Sequence, residues 1–143
     1  MIYLDGSYIV KCYLDEPGTS QVLALVRGNP GRSSSAHGRA EFWSGVHRHL
    51  REKNISISQA QAVWKQFRSD ERIGLWHWLA ISEEVVQRAC ETFEKLDSKV
   101  FLRSGDALHL ACALENGFLD VYSGDRVLLA AASHFGLNGI SVY

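Results

Sequence analysis

The sequence predicts an α/β fold: a three-layer α/β/α sandwich around a central parallel sheet of about four to five short strands. Short apolar runs alternate with helix-spaced segments along the whole chain, and strands separated by helices pair in parallel with both faces covered. The 143 residues suit one domain, large enough to bury roughly two thirds of its unfolded surface. Apolar content of 46% and charge of 22% are those of an ordinary globular chain. Residues 1–143 therefore read as a single domain without linker, repeat or low-complexity segment.

The first strand is Ile2–Leu4. Ser7–Leu14 follows as a helix, with Ile9, Val10, Tyr13 and Leu14 at helical spacing. Pro17-Gly18 stops it, and Thr19 or Ser20 caps a second helix running to about Arg27. Asn29-Pro30-Gly31 is a turn. Arg32–Ser35 is a short second strand despite the weak β propensity of its three serines. Helices are expected over Ala36–Glu52 and from Ser58 to about Ser69. Gly74–Leu79 alternates as a strand. Ser82 followed by Glu83-Glu84 opens a helix to Leu96 with acids in its first turn. Ser104 to Asn116 is a helix closed by Gly117. Asp120–Tyr122 is a strand, Arg126–Phe135 a helix and Gly139–Val142 the last strand.

Several function classes are disfavoured. The longest apolar runs, near Leu108–Leu114 and Val127–Ala132, fall short of the ~18 residues of a membrane span. Met1 leads directly into a strand, with neither the basic nor the apolar region of a signal peptide. Cys12, Cys90 and Cys112 are far apart and lack a C-x-x-C pair, which fits a reducing cytoplasm and no disulfide framework. A net charge of −1 gives no global signature of nucleic-acid binding. Arg27, Arg32, Arg39, Arg48, Arg51 and Lys53 are close in sequence; they make either a basic patch or a solvated helix face.

Four acids occupy places where an α/β chain has no structural need of one: Asp5, Glu41, Asp106 and Asp125. Asp5 and Asp125 fall just past strand ends, where ligands sit in parallel sheets. Carboxylates rarely enter apolar surroundings unless a cation offsets their desolvation. If the four converge, a hard divalent metal is the natural cation. Each also has a simpler explanation. Asp5 and Asp125 could be helix N-caps, Asp106 could favour its helix dipole, and Glu41 could pair with a neighbouring arginine.

The segments carrying these acids resemble the PIN domains, and among them the VapC-type toxins of toxin–antitoxin pairs. Met1-Ile2-Tyr3-Leu4-Asp5-Gly6-Ser7-Tyr8-Ile9-Val10-Lys11 resembles the family's opening strand, Asp and helix, continuing into Tyr13-Leu14-Asp15-Glu16-Pro17-Gly18. Arg39-Ala40-Glu41-Phe42 resembles the helix with the family's Glu. Leu102-Arg103-Ser104-Gly105-Asp106-Ala107-Leu108-His109-Leu110-Ala111 is the most specific match. Ser123-Gly124-Asp125-Arg126 with Leu128 resembles the last acidic motif. One departure is Gly6, where the family usually has Thr or Ser; Ser7 keeps a hydroxyl one position later.

This resemblance implies a Mg²⁺- or Mn²⁺-dependent endoribonuclease with one or two ions, cutting RNA to leave a 5′-phosphate and a 3′-hydroxyl. Asp5, Asp106 and Asp125 would be the metal cluster, completed by Glu41 as a second-ion ligand or a water-positioning group. Ser7 and Ser123 would orient the cluster, and Arg103 and Arg126 could contact phosphate or merely neutralise the acids. A cognate VapB-like antitoxin and a homodimer are expected partners, with the helices from Ser20 to Ser69 able to offer an apolar groove. His109, three residues after Asp106, reads as a packed or hydrogen-bonded histidine. His37, His47, His49, His77 and His134 show no metal-binding spacing. Trp43, Trp64, Trp76 and Trp78 read as packing residues. The rivals are an inactive PIN-like module that only binds RNA or protein, and a phosphatase using Asp5 as nucleophile. The phosphatase pattern wants a second Asp where Ser7 stands.

Overall fold

The computed structural model describes residues 1–143. Its elements are β1 (Ile2–Leu4), α1 (Gly6–Lys11), α2 (Thr19–Gly28), β2 (Arg32–Ser35), α3 (Ala36–Arg51), α4 (Ile57–Arg72), β3 (Trp76–Leu79), α5 (Glu83–Lys95), α6 (Ser104–Glu115), β4 (Asp120–Tyr122), α7 (Arg126–Ala131), a 3-10 turn (Ala132–Phe135) and β5 (Asn138–Ile140). The expected α/β/α architecture is therefore present, with five strands.

All strand pairs are parallel, in the order β3-β2-β1-β4-β5. β1 lies at the centre, with Tyr3 opposite Ser33 on one side and Val121 on the other. Its three residues are all buried, as a strand covered on both faces requires. Alternation sends Tyr3 into one apolar layer, with Val85, Leu110, Ala111, Val121 and Leu128 from the α5–α7 side. Ile2 and Leu4 enter the other, with Ile9, Val22, Phe42, Val46 and Phe67 from α1–α4. The chain leaves β1 toward β2 and β3, then crosses to β4 and β5 on the opposite side. A crevice opens beyond the carboxyl ends of β1 and β4, at the point where the strand order reverses.

Helix boundaries differ from expectation by three residues or more in three places, of which α4, running on to Arg72, is the simplest. α1 ends at Lys11, three residues before Leu14, because Tyr13 is drawn toward the α4–β3 edge. Its hydroxyl donates to Asp70 at 2.7 Å and accepts from Trp76 Nε1 at 2.7 Å. The last expected helix splits at Ala131–Ala132 into α7 and a 3-10 turn closed by left-handed Gly136 (φ 71°). The tryptophans pack as expected: Trp43 stacks on Trp64 (ring centroids 5.7 Å apart) and Trp76 on Trp78 (5.4 Å). All three cysteines are free thiols, and no helix is long and apolar enough to cross a membrane.

Candidate functional site

The reversal point is a cleft of about 420 Å³ whose walls include Asp5, Glu41, Asp106 and Asp125, together with Ser7, Arg48, Arg103 and His109. Four segments far apart in sequence deliver the four acids to one opening. α6 can carry Asp106 and His109 inward because it is apolar nearly all round, with Ala107, Leu110, Ala111 and Cys112 fully buried.

The capping and site readings of the aspartates turn out to be compatible, because different oxygens serve each. Asp5, only 4% exposed, is the N-cap of α1. Its Oδ1 accepts from the Ser7 hydroxyl at 2.7 Å and the Tyr8 amide at 3.1 Å. Its Oδ2 accepts from the Ser123 hydroxyl at 2.5 Å. Ser123 Oγ in turn accepts from the Asp125 amide (2.8 Å) and Ser7 Oγ from the Gly124 amide (3.2 Å). Both predicted serines thus hold Asp5. Burial pushes the Asp5 carboxyl above its usual range, opposed by His109 and the two hydroxyls.

Asp125 caps α7 through Oδ1, accepting from the amides of Val127 (2.8 Å) and Leu128 (3.4 Å). Its Oδ2 faces Arg103, whose Nε also donates to Asp106 Oδ2 at 2.7 Å. Arg103 therefore bridges two of the acids, which raise its pKa further, Asp106 first. Arg126 lies elsewhere: it is exposed and borders a separate depression with Phe101, Val127 and His134. The basic residues close in sequence do not form one patch. Arg39 pairs with Glu71 and Arg32 lies over the Trp76 ring, while Arg48 reaches the cleft.

Glu41 pairs with histidines rather than an arginine. His109 Nε2 lies 2.7 Å from its Oε2 and His37 Nε2 3.2 Å from its Oε1. Burial pushes the Glu41 carboxyl upward, but these two imidazoles outweigh it and hold the group down to about 2. The same contact, chiefly the hydrogen bond to Glu41, raises the pKa of His37. His109 is the buried, hydrogen-bonded histidine expected, its Nδ1 meeting Tyr3 Oη at 2.9 Å and Ser35 Oγ at 3.3 Å. Sequence reasoning passed over His37 and Arg48. The available signal was helical spacing from Glu41, four residues before it for His37 and seven after it for Arg48.

Gly6 is explained here. A Cβ built on it would lie 2.6 Å from Glu41 Cβ and 2.9 Å from Glu41 Cδ. The missing side chain makes room for Glu41.

The depressed Glu41 pKa fixes a pH dependence. A group ionising more readily when folded contributes stability that is complete above its unfolded pKa and lost as pH falls through the folded value. The wild-type melting temperature should therefore exceed that of Glu41→Gln near neutrality. The gap should close as pH falls from about 4.5 toward about 2. Thermal melts of both proteins across that range measure it, and a constant gap would contradict the pairing.

The donor set fits a divalent cation. Four carboxylates line one cleft together with Arg48 and Arg103. Carboxylate oxygens are the ligands hard cations take. The tightest group of ligand atoms, however, is His37, Glu41 and His109, all within 4.8 Å of one another. The three aspartates fall outside that group, and Arg103 bridges two of them.

No curated protein sequence matches the chain. Among solved structures, FitAcB from Neisseria gonorrhoeae aligns with a TM-score of 0.78 at 16% identity, over 99% of this chain and 98% of that one. VapC20 from Mycobacterium tuberculosis, described as a sarcin–ricin loop cleaving toxin, aligns at 0.71 and 18% identity, over 92% and 95%. VapBC2 from Rickettsia felis, bound to a DNA fragment from its promoter, aligns at 0.66 and 17%, over 99% and 98%. At such identities the likeness is one of fold. The PIN domain profile, by contrast, matches the sequence itself over residues 2–134. With that match spanning nearly the whole chain and its four acids in one cleft, the protein belongs to the PIN domain family.

Proposed function

We propose that this protein is a metal-dependent endoribonuclease, the toxin of a VapBC-type toxin–antitoxin pair working in the cytoplasm. The observation carrying the reading is the meeting of four carboxylates in one cleft. Asp5, Asp106 and Asp125 hold one or two Mg²⁺ or Mn²⁺ ions, with Glu41 completing the set. A bound ion of this kind lowers the pKa of its water and neutralises charge on a phosphate. Ser7 and Ser123 fix the Asp5 carboxylate from both sides. Glu41, held ionised by His37 and His109, would serve as ligand or water-orienting group. Arg103 and Arg48, which border the cleft, would contact phosphate, whereas Arg126 borders a separate depression.

The partner reading draws on the aligned VapBC2 structure, a toxin–antitoxin complex on DNA. A groove between the end of α1, α3 and α4, lined by Tyr13, Leu14, Ile55 and Val63 and rimmed by Glu16 and Glu52, suits an amphipathic antitoxin segment. The toxin is expected to act as a homodimer.

The test is cleavage of single-stranded RNA with Mg²⁺ or Mn²⁺, with EDTA, and by Asp106→Asn. Cleavage should need the ion, yield 5′-phosphate ends and disappear in the variant. Undiminished cleavage by Asp106→Asn would remove the site assignment. RNA binding without metal-dependent cleavage would identify an inactive module, and covalent phosphate on Asp5 a phosphatase.

A further inference from the structure

Glu41 lies between two imidazoles, with one ligand atom of each residue within 4.8 Å of the others. We propose that His37, Glu41 and His109 form a nitrogen-containing site for a transition-metal ion of the Mn²⁺, Co²⁺ or Zn²⁺ class. The site adjoins the aspartates, so the inference deepens the metal-dependent reading of the same cleft.

The distances are close to what an ion needs. Each histidine presents Nε2 to a different oxygen of Glu41, at 2.7 and 3.2 Å. Metal–nitrogen and metal–oxygen bonds of about 2.0–2.2 Å place neighbouring ligand atoms roughly 3.0–3.4 Å apart. An ion would replace the protons that hold the trio together, with the three ligand atoms, now within 4.8 Å of one another, closing around it.

His109 has the outer partner that a ligating histidine requires. When one ring nitrogen binds metal, the other carries a proton that must be accepted. Nδ1 meets the Tyr3 and Ser35 hydroxyls, both able to accept, and the Tyr3 ring packs edge-on against the imidazole at 5.9 Å. Ring orientation is thus held by the central strand and the end of β2.

Two glycines clear the space. A Cβ at Gly38 would meet Ser34 Oγ and would lie 2.9 Å from His109 Cε1, and one at Gly105 would lie 2.8 Å from His37 Nε2. Neither glycine has the positive φ that would give a conformational reason for its presence. Imidazole favours transition metals over Mg²⁺, which prefers oxygen ligands. The trio would make the cleft selective for the former.

The experiment titrates chelator-treated full-length protein with Mn²⁺ and, separately, Mg²⁺, and records pulsed electron paramagnetic resonance spectra of the Mn²⁺ form. Wild type should show ¹⁴N couplings from coordinated imidazole and bind Mn²⁺ more tightly than Mg²⁺. His37→Ala, at a half-exposed position, should lose one nitrogen coupling and weaken Mn²⁺ binding about 10-fold or more, with Mg²⁺ binding little changed. His109→Gln should do the same, with circular dichroism confirming its fold. Mn²⁺ bound without nitrogen coupling, or unchanged affinity in both variants, overturns the site. RNA cleavage is read separately: nitrogen coupling without cleavage keeps this site and removes the nuclease, and Mg²⁺-driven cleavage without coupling does the reverse.

Discussion

Asp5→Asn should reduce metal-dependent RNA cleavage by about 10²–10³-fold, the scale seen when one electrostatic group is removed from a reaction centre, while the fold survives. The substitution is nearly isosteric. The amide oxygen can still accept from Ser7 and the Tyr8 amide, so the cap of α1 is retained. The amide nitrogen would face Ser123 Oγ, whose proton must turn elsewhere, a rearrangement costing about 1 kcal/mol. Against that, a buried carboxylate whose pKa burial has raised is removed. The two effects roughly offset, so melting temperatures in EDTA should agree within a few degrees. Adding Mg²⁺ should then raise the wild-type value and leave the variant unmoved, since only a protein that binds the ion gains stability from it. Equal cleavage by wild type and variant would show that Asp5 serves only as a cap.

Gly6→Ser, which restores the residue type usual in the family, should impair the protein rather than improve it. The new Cβ would sit 2.6 Å from Glu41 Cβ, and neither can yield easily, because Gly6 and Asp5 are buried at the start of α1 and Phe42 beside Glu41 is fully buried. Overpacking of this kind costs about 1–3 kcal/mol, a drop of roughly 3–10 °C in melting temperature for a domain this size. Cleavage should fall with it, because Glu41 is pushed from His37 and His109. Combining Gly6→Ser with Glu41→Gly, which removes the opposing Cβ, should cost less than the two single changes added together, a non-additivity expected of residues in contact. A Gly6→Ser protein as stable and active as wild type would mean that Glu41 does not lie against Gly6.

The two cases divide what was legible in the sequence from what was not. Asp5, Asp106 and Asp125 could be read because each sits at a boundary that local rules mark. Asp5 and Asp125 follow short apolar strands and precede helices, and Asp106 opens a helix too apolar to be anything but buried. Glu41 could be placed on α3, yet its partners could not. Its expected partner was an arginine, but Arg39 turns away to Glu71, and His109 approaches from a helix 68 residues later. Arg103 was readable as a cation near an acid, but its bridge to Asp125 spans 22 residues and two elements. The end of α1 was misplaced because Tyr13 answers to Asp70 and Trp76 rather than to its own helix.

The sequence by itself determined the alternation of strands and helices, the single parallel sheet, the apolar layers and the chain positions of the four acids. These follow from periodicity and capping, which act over a few residues. Only the tertiary structure decided the strand order that puts β1 between β2 and β4, and with it which side chains meet across the cleft. Those meetings join elements up to 118 residues apart, as Asp5 and Ser123 show. They depend on how two helical layers pack onto one sheet, which no local pattern encodes. The same packing turned Gly6 from a departure into a requirement and Glu41 from a lone acid into the carboxylate between His37 and His109.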